Sequence, residues 1–283
     1  MQLKGKLVII GGAEDKGKEK DQGEFTENGI LRRLIEESAH KKQSRIEVIT
    51  TASSVPEEMG NDYIKAFKKL DATNVGVLNI DNREAADSAR VIKRLEAADI
   101  AFFTGGDQIR LTSILGGSDF YRLLRDKLQQ DKNFIFAGTS AGAAAASESM
   151  IVGGSSEHAI TKGAVQTSTG FGFVYDVIFD THFVKRGRIG RLFEIVLTNP
   201  KILGIGIEEN TGLLIIGDKM EAIGSGMTIL IDGRDIRQTN LLEIREGAPL
   251  SIDSLCLKVM SKTDVFDLKT RTLEIITPDE CKI

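Results

Sequence analysis

Short apolar runs alternate with amphipathic stretches through the first half of this 283-residue chain, and this alternation constrains the fold more than any other feature. The apolar runs are rich in β-branched residues and predict strands at Lys6–Ile10, Arg45–Thr51, Asn74–Ile80, Asp99–Thr104 and Asn133–Ala137. Between them, apolar residues spaced three or four apart predict helices at Asn28–Ala39, Glu57–Leu70, Arg83–Ala97 and Phe120–Gln130. The pattern is typical of parallel strands joined by crossover helices, so we predict an α/β fold with a doubly wound, mostly parallel sheet. Ligands of such sheets bind where the carboxyl ends of the strands meet.

The second half of the chain has a different pattern. A stretch rich in Gly, Ser and Thr, from Met150 to Phe173, predicts loops with short extended pieces. The following apolar runs predict a strand at Val177–Phe179, a helix at Arg188–Leu197 and strands at Ile202–Ile207, Gly212–Ile216 and Met227–Ile231. Gly or Asp separates the last three strands, which predicts antiparallel hairpins. We expect one domain over residues 1–283, with a core to about residue 215 and a β-rich C-terminal extension over about 216–283.

Composition excludes several classes of protein. The formal net charge of −4 and the lack of a Lys/Arg block argue against a nucleic-acid partner. No run approaches the roughly 20 apolar residues that a membrane-spanning helix needs. The amino terminus lacks the pattern of a secretory signal, so we expect a cytoplasmic protein. The only two cysteines, Cys256 and Cys281, are too few for a disulfide framework in a chain of this length.

The loop after the first predicted strand partly matches a phosphate-binding loop. Gly12–Lys18 has the glycines and the lysine of that motif, but Glu19 stands where Ser or Thr would bind the metal ion. Glu14 and Asp15 would also repel a phosphate. A strand-ending glycine turn therefore explains this loop better than nucleotide binding does.

Residues Gly138–Gly142 match the G-x-S-x-G elbow, in which a sharp turn between strand and helix exposes a nucleophilic serine. An apolar strand run precedes the match, and the small residues of Ala143–Ala146 after it allow close packing. The pentapeptide also occurs as a plain glycine turn. With this context on both sides, Ser140 is the predicted nucleophile of a hydrolase.

A serine hydroxyl needs a neighbouring base before it can attack, and the chain has only three histidines. His40 ends a surface helix, where a basic residue complements the helix dipole. His158 lies in a polar loop that solvent can satisfy. His182 follows an apolar strand at the edge expected to carry Ser140, so it is the best candidate for the base.

The base needs a carboxylate to orient it, and two glutamates follow the strand that ends at Ile207. We choose Glu209, because Glu208 would project to the opposite face if the strand continued. Asp180 lies two residues before His182 and could support the site from the same side of an extended chain. Its proximity also permits a metal site, but no cluster of His, Cys or Asp ligands accompanies it.

An oxyanion hole requires backbone N–H groups near the developing negative charge. Ala141 supplies one by its position after the serine, and Gly106 supplies a second at the end of a neighbouring strand. Gln108 would point its amide into the same cleft. The alternative for this segment is an ordinary strand-to-helix turn capped by Asp107.

Four cationic residues, Lys185, Arg186, Arg188 and Arg191, follow His182. Cations beside the predicted site suggest an anionic feature of the substrate, and the planar fork of arginine suits carboxylates best. Because positive charge opposes the dipole at a helix start, a local anion or an acidic partner should also lie nearby. The alternative is a solvated face paired with Glu194 or other acids.

The order serine, histidine, acid differs from that of the α/β-hydrolases, in which the acid comes second. The motifs that contain these residues, Phe103–Gln108, Gly138–Gly142, Asp180–Phe183, Arg186–Arg191 and Gly206–Thr211, together resemble the cyanophycinase family. The resemblance covers most of the chain, and the Arg-Gly-Arg-x-Gly-Arg run is its most specific part.

The resemblance implies a flavodoxin-like core akin to class I glutamine amidotransferases. It implies a serine-type exopeptidase that cleaves cyanophycin, a polymer of aspartate with arginine side chains, into β-aspartyl-arginine dipeptides. Ser140 would be the nucleophile, His182 the base and Glu209 the orienting acid. The substrate-binding residues would be Gln108, Asp180, Arg186, Arg188 and Arg191, with Asp180 available for a cationic group. The family is typically dimeric and independent of metals and other cofactors.

One position departs from the family pattern. Thr181 stands between Asp180 and His182, where the family usually has glutamine. The shorter side chain puts the substrate in doubt more than the catalytic residues. An aspartyl dipeptidase of the peptidase E type is therefore an alternative, and a catalytically silent peptide-binding protein is another.

Overall fold

The structure is a computed structural model that describes residues 3–17, 24–154 and 160–277. Five strands of its main sheet are parallel: β1 (Lys6–Ile10), β2 (Ile46–Ile49), β3 (Val75–Leu78), β4 (Ile100–Phe103) and β5 (Ile135–Thr139). They lie in the order β3-β2-β4-β5-β1. The residues of β1, β2, β4 and β5 are largely buried, as expected for strands covered on both faces, whereas β3, at the edge of the sheet, has only Leu78 fully buried.

Helices cover both faces of this sheet. The helices are α1 (Ile30–Glu37), α2 (Pro56–Lys69), α3 (Arg83–Ala86), α4 (Ala89–Glu96), α5 (Gln108–Leu115), α6 (Asp119–Gln130), α7 (Ala141–Ala144) and, later in the chain, α8 (Ile189–Thr198). Phe102 of β4 packs in one core with α1 and α2, whereas its neighbour Phe103 packs in a second core with α3 to α7. Successive strand residues thus bury opposite faces. The predicted doubly wound sheet is confirmed for the parallel strands.

The remaining strands complete four sheets. They are β6 (Ser149–Gly153), β7 (Gln166–Thr169), β8 (Val177–Thr181), β9 (Leu203–Ile207), β10 (Thr211–Ile216), β11 (Lys219–Gly224), β12 (Thr228–Asp232), β13 (Gln238–Thr239), β14 (Ile252–Asp253), β15 (Cys256–Met260), β16 (Val265–Asp267) and β17 (Thr272–Glu274). The main sheet continues from β1 through β10, β11, β16 and β17, all antiparallel, so it is mixed and has nine strands in the part of the chain that the structure describes. A four-stranded sheet has the order β15-β12-β9-β8, and β6-β7 and β13-β14 form two small sheets.

The four-stranded sheet contains a second crossover unit. Strands β8 and β9 are parallel and α8 connects them, so their carboxyl ends lie at one edge. The β-rich C-terminal extension is confirmed, and it contributes strands to both large sheets. Within the described ranges, no helix is both long and apolar enough to cross a bilayer.

The structure corrects three details of the predicted elements. The helix predicted at Arg83–Ala97 is two helices, because the side chains of Asp87 and Ser88 make competing hydrogen bonds to Asp119 N–H and to the carbonyl oxygen of Ala85. Helix α5 and strand β11 were not predicted as separate elements. The predicted hairpins are wrong, both for Gly212–Ile216 with Met227–Ile231 and for Ile202–Ile207 with Gly212–Ile216.

Those two strands belong to different sheets. Strand β9 lies between β8 and β12, whereas β10 lies between β1 and β11. The residues between them, 208–210, cross from one sheet to the other. Asn210 has a φ of 48° there, and its N–H donates to the carbonyl oxygen of Gly12 at 3.0 Å. This crossing brings Glu209 to the carboxyl edge of the parallel strands.

Candidate active site

Ser140 lies at the turn between β5 and α7. Its N–H donates to the carbonyl oxygen of Ile10 at 3.0 Å, and its φ of 52° is one that residues with side chains rarely adopt. The flanking glycines permit this turn. A Cβ at Gly138 would lie 2.5 Å from the backbone of Gly142, and one at Gly142 would lie 2.5 Å from the carbonyl oxygen of Phe103. The sharp turn of the predicted elbow is therefore present.

His182 follows β8 and reaches from the four-stranded sheet to the main sheet. Its N–H donates to the carbonyl oxygen of Gly11, directly after β1, at 2.8 Å. Its ring packs against Gly12, where a Cβ would lie 2.4 Å from both Cε1 and Nε2. Nε2 lies 3.1 Å from Oγ of Ser140, within hydrogen-bonding distance. Glycine at position 12 thus makes room for the imidazole beside the serine.

Glu209 follows β9, the parallel neighbour of β8, so it leaves the sheet at the same edge as His182. Its Oε1 lies 2.7 Å from Nδ1 of His182. A carboxylate only accepts hydrogen bonds, so in the neutral imidazole Nδ1 carries the proton and Nε2 presents a lone pair to the Ser140 hydroxyl. The structure thus brings the three side chains together in one chain of contacts.

The two neighbouring glutamates have different contacts. The second oxygen of Glu209, Oε2, accepts a hydrogen bond from Lys185, and Glu208 accepts from the backbone N–H groups of Val184 at 2.7 Å and Lys185 at 3.1 Å. The pKa of Glu209 is lowered, and the largest cause is the hydrogen bond from Lys185. Burial raises this pKa, and the hydrogen bond with His182 lowers it further. Glu209 therefore contacts the imidazole, while Glu208 holds the loop that follows it.

Of the other two histidines, His40 lies within the described residues, where it contacts Asp99 rather than Ser140. His40 is exposed, and its Nδ1 lies 3.0 Å from Oδ1 of Asp99. His158 lies outside the described residues, as do Lys18 and Glu19 of the loop that partly matches a phosphate-binding motif. Within residues 3–17, 24–154 and 160–277, no three side chains of His, Cys, Asp or Glu are grouped as a metal site would require.

The two residues predicted for the oxyanion hole line the same pocket as Ser140. Ala141 is the first residue of α7, so its N–H has no partner within that helix. Gly106 has a φ of 141°, and a Cβ there would lie 1.9 Å from the carbonyl oxygen of Ala52. The side chain of Asp107 also caps α5, as the alternative interpretation expected. The same turn thus contains both the cap of α5 and Gly106, which lines the pocket.

All five residues predicted to bind substrate line this pocket: Gln108, Asp180, Arg186, Arg188 and Arg191. Arg191 makes a bidentate ion pair with Asp180, with Nε to Oδ2 at 3.0 Å and Nη2 to Oδ1 at 2.7 Å. Arg188 donates to Oδ1 of Asp180 at 3.3 Å and to the carbonyl oxygen of Thr181 at 2.8 Å. Burial raises the pKa of Asp180, while the charges of Arg191 and Arg188 oppose that rise.

These contacts differ from two expectations. Asp180 is only 3% exposed and both of its oxygens accept from arginines, so it orients the arginines rather than standing open to a cationic group. Glu194 does not pair with the cations, because its carboxylate accepts from the backbone N–H groups of Gly163 and Val165. The amide of Gln108 donates to the carbonyl oxygen of Ile151 at 2.9 Å, which fixes the side chain at the pocket wall.

Comparison with known proteins identifies the family. Residues 7–223 match the family model described as peptidase family S51. The chain belongs to peptidase family S51. A cyanophycinase from Trichormus variabilis is 35% identical to this S51 peptidase over 268 residues, which are 94% of this chain and 87% of the relative. A cyanophycinase from Synechococcus elongatus is 34% identical over 272 residues, which are 96% of this chain and 81% of the relative.

The fold of this S51 peptidase also matches a solved structure. A peptidase from an acI-B1 Actinobacterium superposes with a TM-score of 0.65 at 21% identity, over 94% of this chain and 97% of that one. This similarity supports the predicted α/β fold with its β-rich extension. Membership of the family makes the chain a serine-type peptidase, and therefore a hydrolase.

Two contacts of this S51 peptidase were missed from the sequence. Lys185 was grouped with the cations that would face a substrate, yet it contacts Glu209. Glu14 was considered as a charge that would repel phosphate, yet it is buried beside Thr139. Their only sequence signal is position, since Lys185 follows His182 by three residues and Glu14 follows the glycines after β1.

Proposed function

We propose that this S51 peptidase is a cyanophycinase, a serine-type exopeptidase that hydrolyses cyanophycin to β-aspartyl-arginine dipeptides. The observation that carries the proposal is the chain of contacts from Glu209 through His182 to Ser140, beside a pocket lined by arginines. The relatives at 34–35% identity that bear the name cyanophycinase support the choice of substrate.

The proposed first step forms an acyl-enzyme. The Ser140 hydroxyl attacks the carbonyl carbon of the aspartyl peptide bond while Nε2 of His182 takes the hydroxyl proton. Glu209 holds the imidazole by Nδ1 and stabilises the imidazolium that forms. The carbon–nitrogen bond then breaks, and His182 donates the proton to the leaving amine.

The second step releases the product. A water molecule attacks the ester carbonyl while His182 takes one of its protons, and the bond to Oγ of Ser140 then breaks as His182 returns that proton to Oγ. In both steps the carbonyl oxygen becomes negative, and we assign its stabilisation to the N–H groups of Gly106 and Ala141. Both residues line the pocket that contains Ser140.

The arginines of the pocket are proposed to bind the carboxylates of the substrate. Arg191 is 7% exposed and is held by Asp180, so its orientation is fixed before substrate arrives. Arg186 and Arg188 line the same pocket. A rigid guanidinium loses little entropy when it binds a carboxylate, which favours such a preorganised arrangement.

The experiment that tests the function is incubation of the purified protein with insoluble cyanophycin and identification of the released products by mass. We expect β-aspartyl-arginine dipeptides from the wild-type protein and none from Ser140→Ala, whose fold is checked by circular dichroism. Release of amino acids only from short peptides that begin with aspartate would favour the aspartyl dipeptidase alternative. Binding of cyanophycin without any turnover would favour the silent peptide-binding protein.

We also propose that residues 1–283 form a single domain that assembles as a homodimer. Strands from the C-terminal extension pair within both large sheets, which supports one folding unit. A single cooperative transition in urea and the mass of the particle from light scattering test the two parts of this proposal.

A further inference from the structure

Glu14 is a buried carboxylate that the proposed mechanism does not use. It lies in the loop after β1, and only 1% of its side chain is exposed. The ammonium of Lys16 lies 3.8 Å from Oε1, beyond direct hydrogen-bonding distance. Burial of a carboxylate is unfavourable unless hydrogen bonds satisfy its oxygens, so the donors around Glu14 indicate what it does.

Each oxygen of Glu14 accepts a hydrogen bond from a different element. Oε2 accepts from Oγ1 of Thr139, at the end of β5, at 2.6 Å. Oε1 accepts from the hydroxyl of Tyr63 on α2. Burial raises the pKa of Tyr63 well above its ordinary value, and the charge of Glu14 raises it further, so the phenol keeps the proton that it donates. The carboxylate thus connects the loop after β1 to α2 and to the end of β5.

Thr139 is the residue directly before Ser140. It is the last residue of β5 and lies opposite Ile10 of β1 in the sheet. At Ser140 the backbone turns to a φ of 52°, a conformation that persists only where the surrounding structure holds it. The hydrogen bond to Glu14 fixes the Thr139 side chain on one side of this turn, and the N–H of Ser140 is fixed by Ile10 on the other.

We propose that Glu14 is a positioning residue for the nucleophile: it holds the Thr139 hydroxyl and so fixes the turn that presents Ser140 to His182. Glu14 acts through Thr139 and takes no part in the chemical steps. The inference rests on the proposed role of Ser140 as nucleophile and adds a requirement for how that residue is held.

The test is the rate at which a serine-directed fluorophosphonate labels Ser140, measured beside the thermal unfolding temperature. Labelling reports the reactivity of the hydroxyl with no assumption about the peptide substrate. The variants are Thr139→Val, which removes the hydroxyl and keeps the shape, Glu14→Gln, and the double variant. The matched control is Thr50→Val, because Thr50 is equally buried after β2 and its hydroxyl has no hydrogen-bond partner among the described residues.

We expect Thr139→Val and Glu14→Gln each to slow labelling by about tenfold, because a small displacement of the nucleophile reduces its reactivity. The double variant should be no slower than Thr139→Val, since the neutral amide of Glu14→Gln weakens the same hydrogen bond that Thr139→Val removes. Thr139→Ser keeps a hydroxyl and should restore the rate to within about twofold. Thr50→Val should leave it within about twofold of wild type.

Two results would overturn the positioning role and leave Ser140 as the nucleophile: unchanged labelling in folded Thr139→Val, or losses that multiply in the double variant. Absence of labelling at Ser140 in the wild-type protein would overturn the proposed function together with this inference. If Glu14→Gln does not fold, Thr139→Val and Thr139→Ser still decide, because equal labelling rates in these two variants would contradict the role of the hydroxyl.

Discussion

Lys185 donates a hydrogen bond to Oε2 of Glu209, the oxygen that does not face the imidazole of His182. One carboxylate therefore joins an exposed ammonium to the base that contacts Ser140. The ammonium favours the ionised form of Glu209, which accepts the hydrogen bond from Nδ1–H more strongly than the neutral acid would and stabilises the imidazolium. The ionisation of the orienting carboxylate thus depends on a residue outside the chemical steps.

Lys185→Met should raise the pKa of Glu209. Lys185 lowers this pKa, so without it the carboxylate takes up its proton at a higher pH, which a carbon-13 NMR titration of the glutamate carboxyl groups measures. At neutral pH we expect less than about a threefold change in kcat/KM, because Lys185 is 67% exposed and solvent screens its charge. Lys219→Met, which removes an exposed lysine paired with Asp267, is the control. An unchanged pKa of Glu209 in Lys185→Met would contradict this prediction.

Glu209→Gln and Glu208→Gln compare two adjacent glutamates. Glu209→Gln should lower kcat by roughly 10³- to 10⁴-fold, because the amide no longer stabilises the imidazolium or selects its tautomer. Glu208 accepts both backbone hydrogen bonds at one oxygen, Oε2, and the carbonyl oxygen of glutamine can replace it. We therefore expect a loss below about tenfold for Glu208→Gln. A larger loss at Glu208 in steady-state assays would reverse the assignment of the acid.

Gly12→Ala should inactivate the enzyme. The added Cβ would lie 2.4 Å from the imidazole of His182 and displace it from Ser140, which should lower kcat/KM by about a hundredfold. Gly247→Ala is the matched control, since its φ of 79° is also positive but no atom lies within 4 Å of the new Cβ. It should cost about 1–2 kcal/mol of stability and keep its activity. Retained activity in Gly12→Ala would show that the imidazole of His182 can adopt another position in which it still activates Ser140.

Asp180→Asn should destabilise the fold. The change leaves the buried guanidinium of Arg191 without its carboxylate, which should reduce the free energy of unfolding by about 3 kcal/mol. Asp176→Asn breaks an exposed pair with Lys201 and should cost less than about 1 kcal/mol. Urea unfolding measures both values. Equal small losses would mean that the Asp180 pair contributes as little as a surface pair does.

Local pattern was enough to predict much of the fold. The strand predicted at Lys6–Ile10 has those bounds in the structure, because an apolar β-branched run bounded by glycines has few other stable states. The turn at Ser140 was predicted because its glycines are required within five residues of sequence. In both cases the residues that cause the local structure are close in sequence to the residues that adopt it.

Contacts between the sheets could not be predicted in the same way. Residues 208–210 cross from β9 to β10, and no local pattern distinguishes such a crossing from a hairpin. The ion pair of Asp180 with Arg191 was missed because its residues come from β8 and the facing side of α8, whose packing the sequence does not specify. The group of cationic residues after His182 was recognised from the sequence. Which of them line the pocket depends on how β8 and α8 pack.

The most direct test of the account is the position and rate of covalent modification by a serine-directed fluorophosphonate, followed by mass spectrometry of the digested protein. The account predicts one adduct, on the peptide that contains Ser140, and labelling slower by about a thousandfold in His182→Ala, because the base that takes the hydroxyl proton is gone. An adduct on another residue, or an unchanged rate in folded His182→Ala, would contradict the claim that His182 activates Ser140.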